Sequence, residues 1–316
     1  MVCRKLPALT SQALVLMLSL VMPAAAQIYQ WRDADGRLHF SDTPADGMAA
    51  EPAVERPGTA VPPGARTGLL RIEQQDFALS PTTLERVRRG LDGILSLYTR
   101  ELGLDVRGEV VVRLHLLASV GDYQRWTRER TGIAPPRHST GVYVTRTREV
   151  AVWQWGDEDS IASTILHEAS HVILAQLAPR APSWLHEGLA QYVQMIEVDG
   201  GRLVIPPHPA IHRVRAWQQD GTLISLRRYL NLPEQEWRQL AHDQSAIPYT
   251  VAWATVYFMM SSPVGKQTLR RLLHDMEKSG QWPDANTIDG RYPGGLVKMD
   301  YDFFRWAQGD IRPHHY

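Results

Sequence analysis

Two hydrophobic periods divide the chain. Between Leu84 and Leu102 the apolar positions Leu84, Val87, Leu91, Ile94, Leu95, Tyr98 and Leu102 recur at helical spacing. Thr82 or Thr83 is placed to cap that helix and Gly103 to end it. Strand-like runs flank it, "GLLRIEQQDFALS" before and Val110 to Leu117 after. "VGDYQRWTRERTG" reads as a short helix or turn with its aromatic residues inward, and "STGVYVTRTREVAVWQW" as two strands parted near Thr147. From Ser160 onward helical patterns dominate. Ile161, Ile165, Ala169, Val172, Ile173 and Leu177 make one strongly apolar helix. After the short loop "APRAP" a second begins at "PSWLHEGLAQYVQ", with Ser183 as its cap. A loop region to about residue 222 and two or three further helices follow, the clearest being "YTVAWATVYFMMSS". Strands come first and helices after, so the expected fold is α+β, a mixed sheet followed by a mostly helical half. The sequence contains no internal repeat.

The first residues follow another pattern. Arg4 and Lys5 precede the apolar run Ala13 to Pro23, which ends in Ala24, Ala25 and Ala26. That is the layout of a secretory signal peptide over residues 1–26, and the run is short for a membrane span of roughly 20 residues. Next, Tyr29 and Trp31 alternate with polar neighbours, "DADG" supplies a turn, and "RLHFS" returns as a second strand. Tyr29, Trp31, Asp33, Gly36, His39, Phe40 and the run Ser41 to Pro44 resemble a short domain of unknown function found at the N-terminus of many proteobacterial envelope proteins. The resulting division is a signal peptide over 1–26, a small β-hairpin domain over 27–48, a Pro/Gly/Ala-rich linker over 49–66 and a main domain over 67–316.

Composition narrows the function classes. The chain has 316 residues, 44% hydrophobic content and no formal net charge, with no basic patch to imply a nucleic-acid partner. Removing the leader would lower the basic count from 34 to 32 against 34 acidic residues. It would also remove Cys3, the only cysteine. The mature chain would then have no disulfide and no thiol nucleophile, which excludes a thiol protease and suits the periplasm or cell exterior. No other run is long enough to span a membrane, and oligomeric state is not legible.

Chemistry concentrates in "SIASTILHEASHVILAQL". His167 and His171 stand at i and i+4, so on a helix both imidazoles face one way and can reach one metal ion. Glu168 lies about 100° round from His167, near enough to meet a metal-bound water without being a ligand. A helix this apolar accepts two histidines and a glutamate only if they are paired or metal-bound. Catalytic zinc needs a third protein ligand. Glu187 and its neighbour His186, in the first turn of the second helix, are both candidates on geometry alone.

"TILHEASHVILAQL" followed by "PSWLHEGLAQY" resembles the peptidase MA-like, or gluzincin, group of zinc metallopeptidases, thermolysin-like in type. The resemblance covers roughly residues 105–260 and rests on the paired motifs, which are far more specific than H-E-x-x-H alone. It implies a zincin-like fold, Zn2+ held by His167, His171 and Glu187, and Glu168 as general base. It favours Glu187 over His186. Such folds also carry an edge strand beside the cleft. Either half of "GVYVTRTREVAVWQW" fits that part, with Val150, Val152 and Trp153 in the nearer half. Tyr249, at a helix start after Pro248, is the candidate donor to the oxyanion, while Tyr257 reads as core. The extended G-x-x-H of metzincins is absent after His171, as is a G-x-S-x-G serine elbow. His208 and His212, separated by Pro209 with no acidic neighbour, read as ordinary loop histidines.

The expected function is therefore a zinc-dependent endopeptidase acting on a peptide or protein, a cell-envelope protein or cell-wall peptide being the candidates. Two alternatives stand beside it: a non-catalytic zincin-like scaffold that binds an envelope partner, and a zinc amidase acting on cell-wall peptides. The segment 27–66 is short for a prodomain but long enough to lie over a cleft.

Overall fold

The computed structural model describes residues 29–32, 38–41, 69–135, 139–199, 201–243 and 246–316. The expected leader and linker lie outside the described residues, as does 33–37, where the turn of the expected hairpin falls. Strands β1 (Tyr29–Arg32) and β2 (Leu38–Ser41) pair antiparallel, with Trp31 opposite His39. The main chain continues with β3 (Leu70–Gln75), α1 (Pro81–Ser96), β4 (Val112–Leu117), α2 (Val120–Thr131), β5 (Gly141–Val144) and β6 (Glu149–Trp153). Two helices follow, α3 (Glu158–Leu177) and α4 (Ser183–Val193), joined through residues 178–182. Then come β7 (Glu197–Asp199), β8 (Arg202–Ile205), α5 (Ile211–Gln219), α6 (Leu226–Tyr229), α7 (Glu234–Asp243) and α8 (Ala246–Met260). The last elements are α9 (Pro263–Ser279), α10 (Ala285–Arg291), α11 (Gly295–Gln308) and β9 (His314–His315).

The architecture is α+β. The larger sheet runs β1-β2-β5-β6-β4-β3 and is mixed: β4 lies parallel to both β3 and β6, while β5 is antiparallel to β6 and β2. A second sheet, β7-β8-β9, lies within the helical half. Strand β6 is interior, between β5 and β4. Val150, Val152 and Trp153 are thus on a central strand and cannot form the edge beside a cleft. The other half of the stretch, β5, is flanked as well, by β2 and β6, so neither half is an edge of the sheet.

Local chemistry explains the helix boundaries. Ser80, rather than Thr82 or Thr83, caps α1: its Oγ accepts from the Thr83 N–H at 3.2 Å, and Pro81 takes the first helical position. Glu158, in the first turn of α3, accepts from the Ser80 N–H at 2.9 Å and its hydroxyl at 2.5 Å, tying the starts of the two helices together. α1 ends in a π turn over Leu97–Glu101, and Gly103 follows at φ 73°, as the helix-stop reading expects. Inside that turn Tyr98 shares a 2.6 Å hydrogen bond with Ser170 of α3.

Helices α3 and α8 are buried around most of their circumference, the mark of a helix at the centre of a core. The region expected as loop to residue 222 contains β7, β8 and α5, and among the described residues six helices follow it instead of two or three. The short ones carry little periodic signal: α5 buries only Ile211 and Val214, and α10 only Ile288.

Helices α4 and α8 meet at Gly188. A Cβ there would lie 2.6 Å from the Ala252 carbonyl oxygen and 2.7 Å from Val256 Cγ2. Backbone cannot yield as a side-chain tip does, so Gly188→Ala should destabilise the fold by about 1–3 kcal/mol. Urea unfolding of the metal-stripped protein checks this; an unchanged midpoint would mean that the two helices separate freely.

Candidate metal centre

His167 and His171 are one turn apart on α3, 1% and 0% exposed, with ring centroids 5.0 Å apart. Glu187, fully buried, comes from the first turns of α4. The start of that helix is fixed from outside. Pro182 takes the cap position without a side-chain bond, and Ser183, expected as the cap, is the first helical residue. Its hydroxyl instead donates to the Glu234 carboxylate at the start of α7.

Glu187 Oε2 then lies 3.7 Å from His167 Nε2 and 3.8 Å from His171 Nε2. One ligand atom from each of the three residues falls within 4.8 Å of the others. These separations are too long for hydrogen bonds. They are close to the spacing of about 3.3 Å between ligands held tetrahedrally at about 2 Å from one ion. His167 Nε2 and both Glu187 oxygens find no hydrogen-bond partner among the described residues. A buried trio of two imidazoles and a carboxylate converging on one point could hold a metal ion.

The electrostatics agree. Burial pushes the Glu187 carboxyl well above the usual range, and the charge of Glu168 pushes it further. Burial draws His167 down to about 3, against the bond to Gln194, with His208 adding to the depression. His171 is held well below its ordinary value by burial, then by His167 and His186. Both imidazoles are therefore held neutral at neutral pH, and the charge of Glu168 bears on a buried Glu187. A cation at the His-His-Glu group would offset that repulsion.

Gln194, at the end of α4, was not picked out in the sequence. Its Oε1 accepts from His167 Nδ1 at 2.9 Å, which directs Nε2 of that ring toward Glu187. It stands seven residues beyond Glu187, two turns along the same helix, and that spacing was the available signal. Gly141, the first residue of β5, was also missed. A Cβ there would lie 3.0 Å from Glu168 Cγ and 2.7 Å from Thr164 Cγ2. The glycine lets β5 run against the face of α3 that carries Glu168, and Tyr143 on the same strand stacks on His171 with centroids 6.5 Å apart.

The remaining candidates separate clearly. Glu168 is fully buried on α3, close enough to Glu187 for its charge to be felt there. His186 is buried with its ring 5.9 Å from that of His171, yet the three-residue group includes Glu187 and not His186. Tyr249 is 2% exposed in α8, and its ring packs edge-on against Trp237 at 5.6 Å. His208 is a buried residue whose Nδ1 accepts from the Ala210 N–H at 3.0 Å beside Trp253, whereas His212 is exposed. The expected loop histidines thus have different surroundings, and neither joins the metal group.

No helix among the described residues is long and apolar enough to cross a membrane. No curated protein matches the chain. Residues 15–67 match a family described as Domain of unknown function (DUF4124). Residues 161–278 match one described as Protein of unknown function (DUF1570). The second match runs from the first turn of α3 to the last turn of α9, so the three candidate ligand residues, Glu168 and Tyr249 all fall within one matched stretch, and β1 and β2 fall within the other.

Proposed function

We propose that this protein is an exported zinc-dependent endopeptidase of the gluzincin type, with His167, His171 and Glu187 as metal ligands. The observation that carries this reading is the buried His-His-Glu group with a second buried carboxylate, Glu168, beside it. A structural zinc site is closed by four protein ligands. Three ligands with an adjacent base describe a catalytic one. The leader-like segment and the envelope-type N-terminal match support export.

Bound zinc would supply Lewis acidity, polarising the scissile carbonyl and acidifying the attacking water. Gln194 holds the His167 ring in the orientation and tautomer that ligation needs. Glu168 takes the proton as the water oxygen bonds to the carbonyl carbon. It delivers that proton to the departing amine nitrogen as the C–N bond breaks. Tyr249, in the first turns of α8, is the proposed donor to the oxygen that gains charge. No covalent acyl-enzyme forms, in keeping with a mature chain that would lack cysteine.

The test is hydrolysis of a quenched-fluorescence peptide library. Activity should vanish after dialysis against dipicolinate and return with one equivalent of zinc per chain. Hydrolysis that survives complete metal removal would end this reading.

A further inference from the structure

Strand β5 has two neighbours, β6 on its inner side and β2 on its outer side. It is also the strand that touches the site, through Gly141 against Glu168 and Tyr143 against His171. The outer edge of β5 is therefore a row of main-chain donors and acceptors on a strand that packs against the candidate base. That row is taken by the chain itself: Ser41 pairs with Val142, Phe40 with Tyr143 and His39 with Val144, antiparallel. Beyond β2, Cα atoms of β1 come within 8 Å of α7 in the helical half. Helix α7 in turn holds the start of α4 through Glu234 and Ser183. The β1–β2 pair thus runs from β5 to α7, the helix that holds the start of α4.

We propose that the outer edge of β5 is a docking edge for an extended polypeptide, and that β2 occupies it as an internal competitor. The β1–β2 pair must leave before another chain can lie beside Glu168. This rests on the peptidase reading for the identity of the incoming chain. Main-chain pairing of this kind demands an extended backbone and no particular side chains, so one strand can replace another. The attachment permits the exchange. Strands β5, β6, β4 and β3 remain paired without β2. Residues 42–69 separate β2 from β3, a length on the order of 90 Å when extended, so departure does not require the main domain to unfold.

A reversible lock tests the proposal in the full chain. In a Cys3→Ser background, His39→Cys with Val144→Cys places two thiols on directly opposed residues. The Cα spacing of such partners, about 4.5–5.5 Å, lies within the disulfide range. Ser41→Cys with Val142→Cys is the second lock, for use if the first pair does not fold. Two quantities are read, oxidised and then reduced with dithiothreitol: turnover of the peptide library, and the rate at which dipicolinate extracts zinc. Both should fall at least tenfold on oxidation and recover on reduction. Failure of both pairs to cross-link would remove the β2–β5 pairing, and a cross-link that changes neither rate would remove the competition. If extraction slows while neither form hydrolyses any peptide, occlusion stands and the peptidase reading falls.

Discussion

Glu187→Ala should strip zinc from the protein while His186→Ala leaves it at about one equivalent per chain. Both residues are buried and adjacent, so a general effect of disturbing α4 would fall on both. Glu187 places Oε2 3.7 Å from His167 Nε2 and 3.8 Å from His171 Nε2, and the three-residue group that could hold a metal includes it and not His186. His167→Ala and His171→Ala should behave like Glu187→Ala, each lowering affinity by more than the 10–100-fold typical of a residue that merely supports a ligand. Metal analysis after dialysis against a graded chelator reads the series. Zinc lost from His186→Ala and retained by Glu187→Ala would indicate three histidine ligands and remove the gluzincin assignment. The effect on stability of replacing Glu187 should change sign with metal. Saturating zinc at a thousand times its dissociation constant adds about 4 kcal/mol to the wild type. In chelated protein, the milder Glu187→Gln should be the more stable chain by about 1–2 kcal/mol, because it removes a carboxyl that is costly to bury and that Glu168 also repels.

Glu168→Gln should separate metal binding from turnover. The amide keeps the shape of the side chain and leaves all three ligands intact, so zinc content should remain at about one per chain. Removing the proton acceptor should lower kcat by about 10²–10⁴-fold. KM should change little, since the proposed role of Glu168 is in the reaction and not in holding substrate. Steady-state kinetics beside metal analysis decides. Turnover at the wild-type rate would exclude general-base catalysis by this residue, and zinc lost along with activity would make it a structural part of the ligand set.

The site was far more legible than the scaffold that holds it. His167 and His171 declare themselves by i, i+4 spacing on an apolar helix, a local property of the chain. Glu187 was ambiguous against His186 because neighbouring helical residues differ by only 100°, and only the packing of α4 on α3 selects between them. Gln194 was hidden for a different reason: a lone polar residue at a helix end has many ordinary explanations until the ring it bonds is in place. The α+β order followed from hydrophobic period, but sheet order did not. Nothing in "GVYVTRTREVAVWQW" says that its second half goes to the middle of the sheet and its first half faces β2, since that depends on strands far away in sequence. The cap on α1 was misplaced for the same reason. Ser80 is held by Glu158, and the threonines beside it offered an equally good local signal.

The three proposed ligand residues all lie on α3 and α4, two helices joined through residues 178–182. The sheet, by contrast, pairs β4 with β6 and β2 with β5 across long stretches of chain. Local contacts form early in folding and non-local strand pairing forms late. On the proposed ligand set, a nascent chain would have made all three residues once α4 emerges, before α7 is there to hold the start of α4 and before α8 packs against Gly188. Zinc present at that stage would meet the two helices and not a finished cleft. Metal supply would then govern how fast the protein reaches its native state as well as how stable that state is.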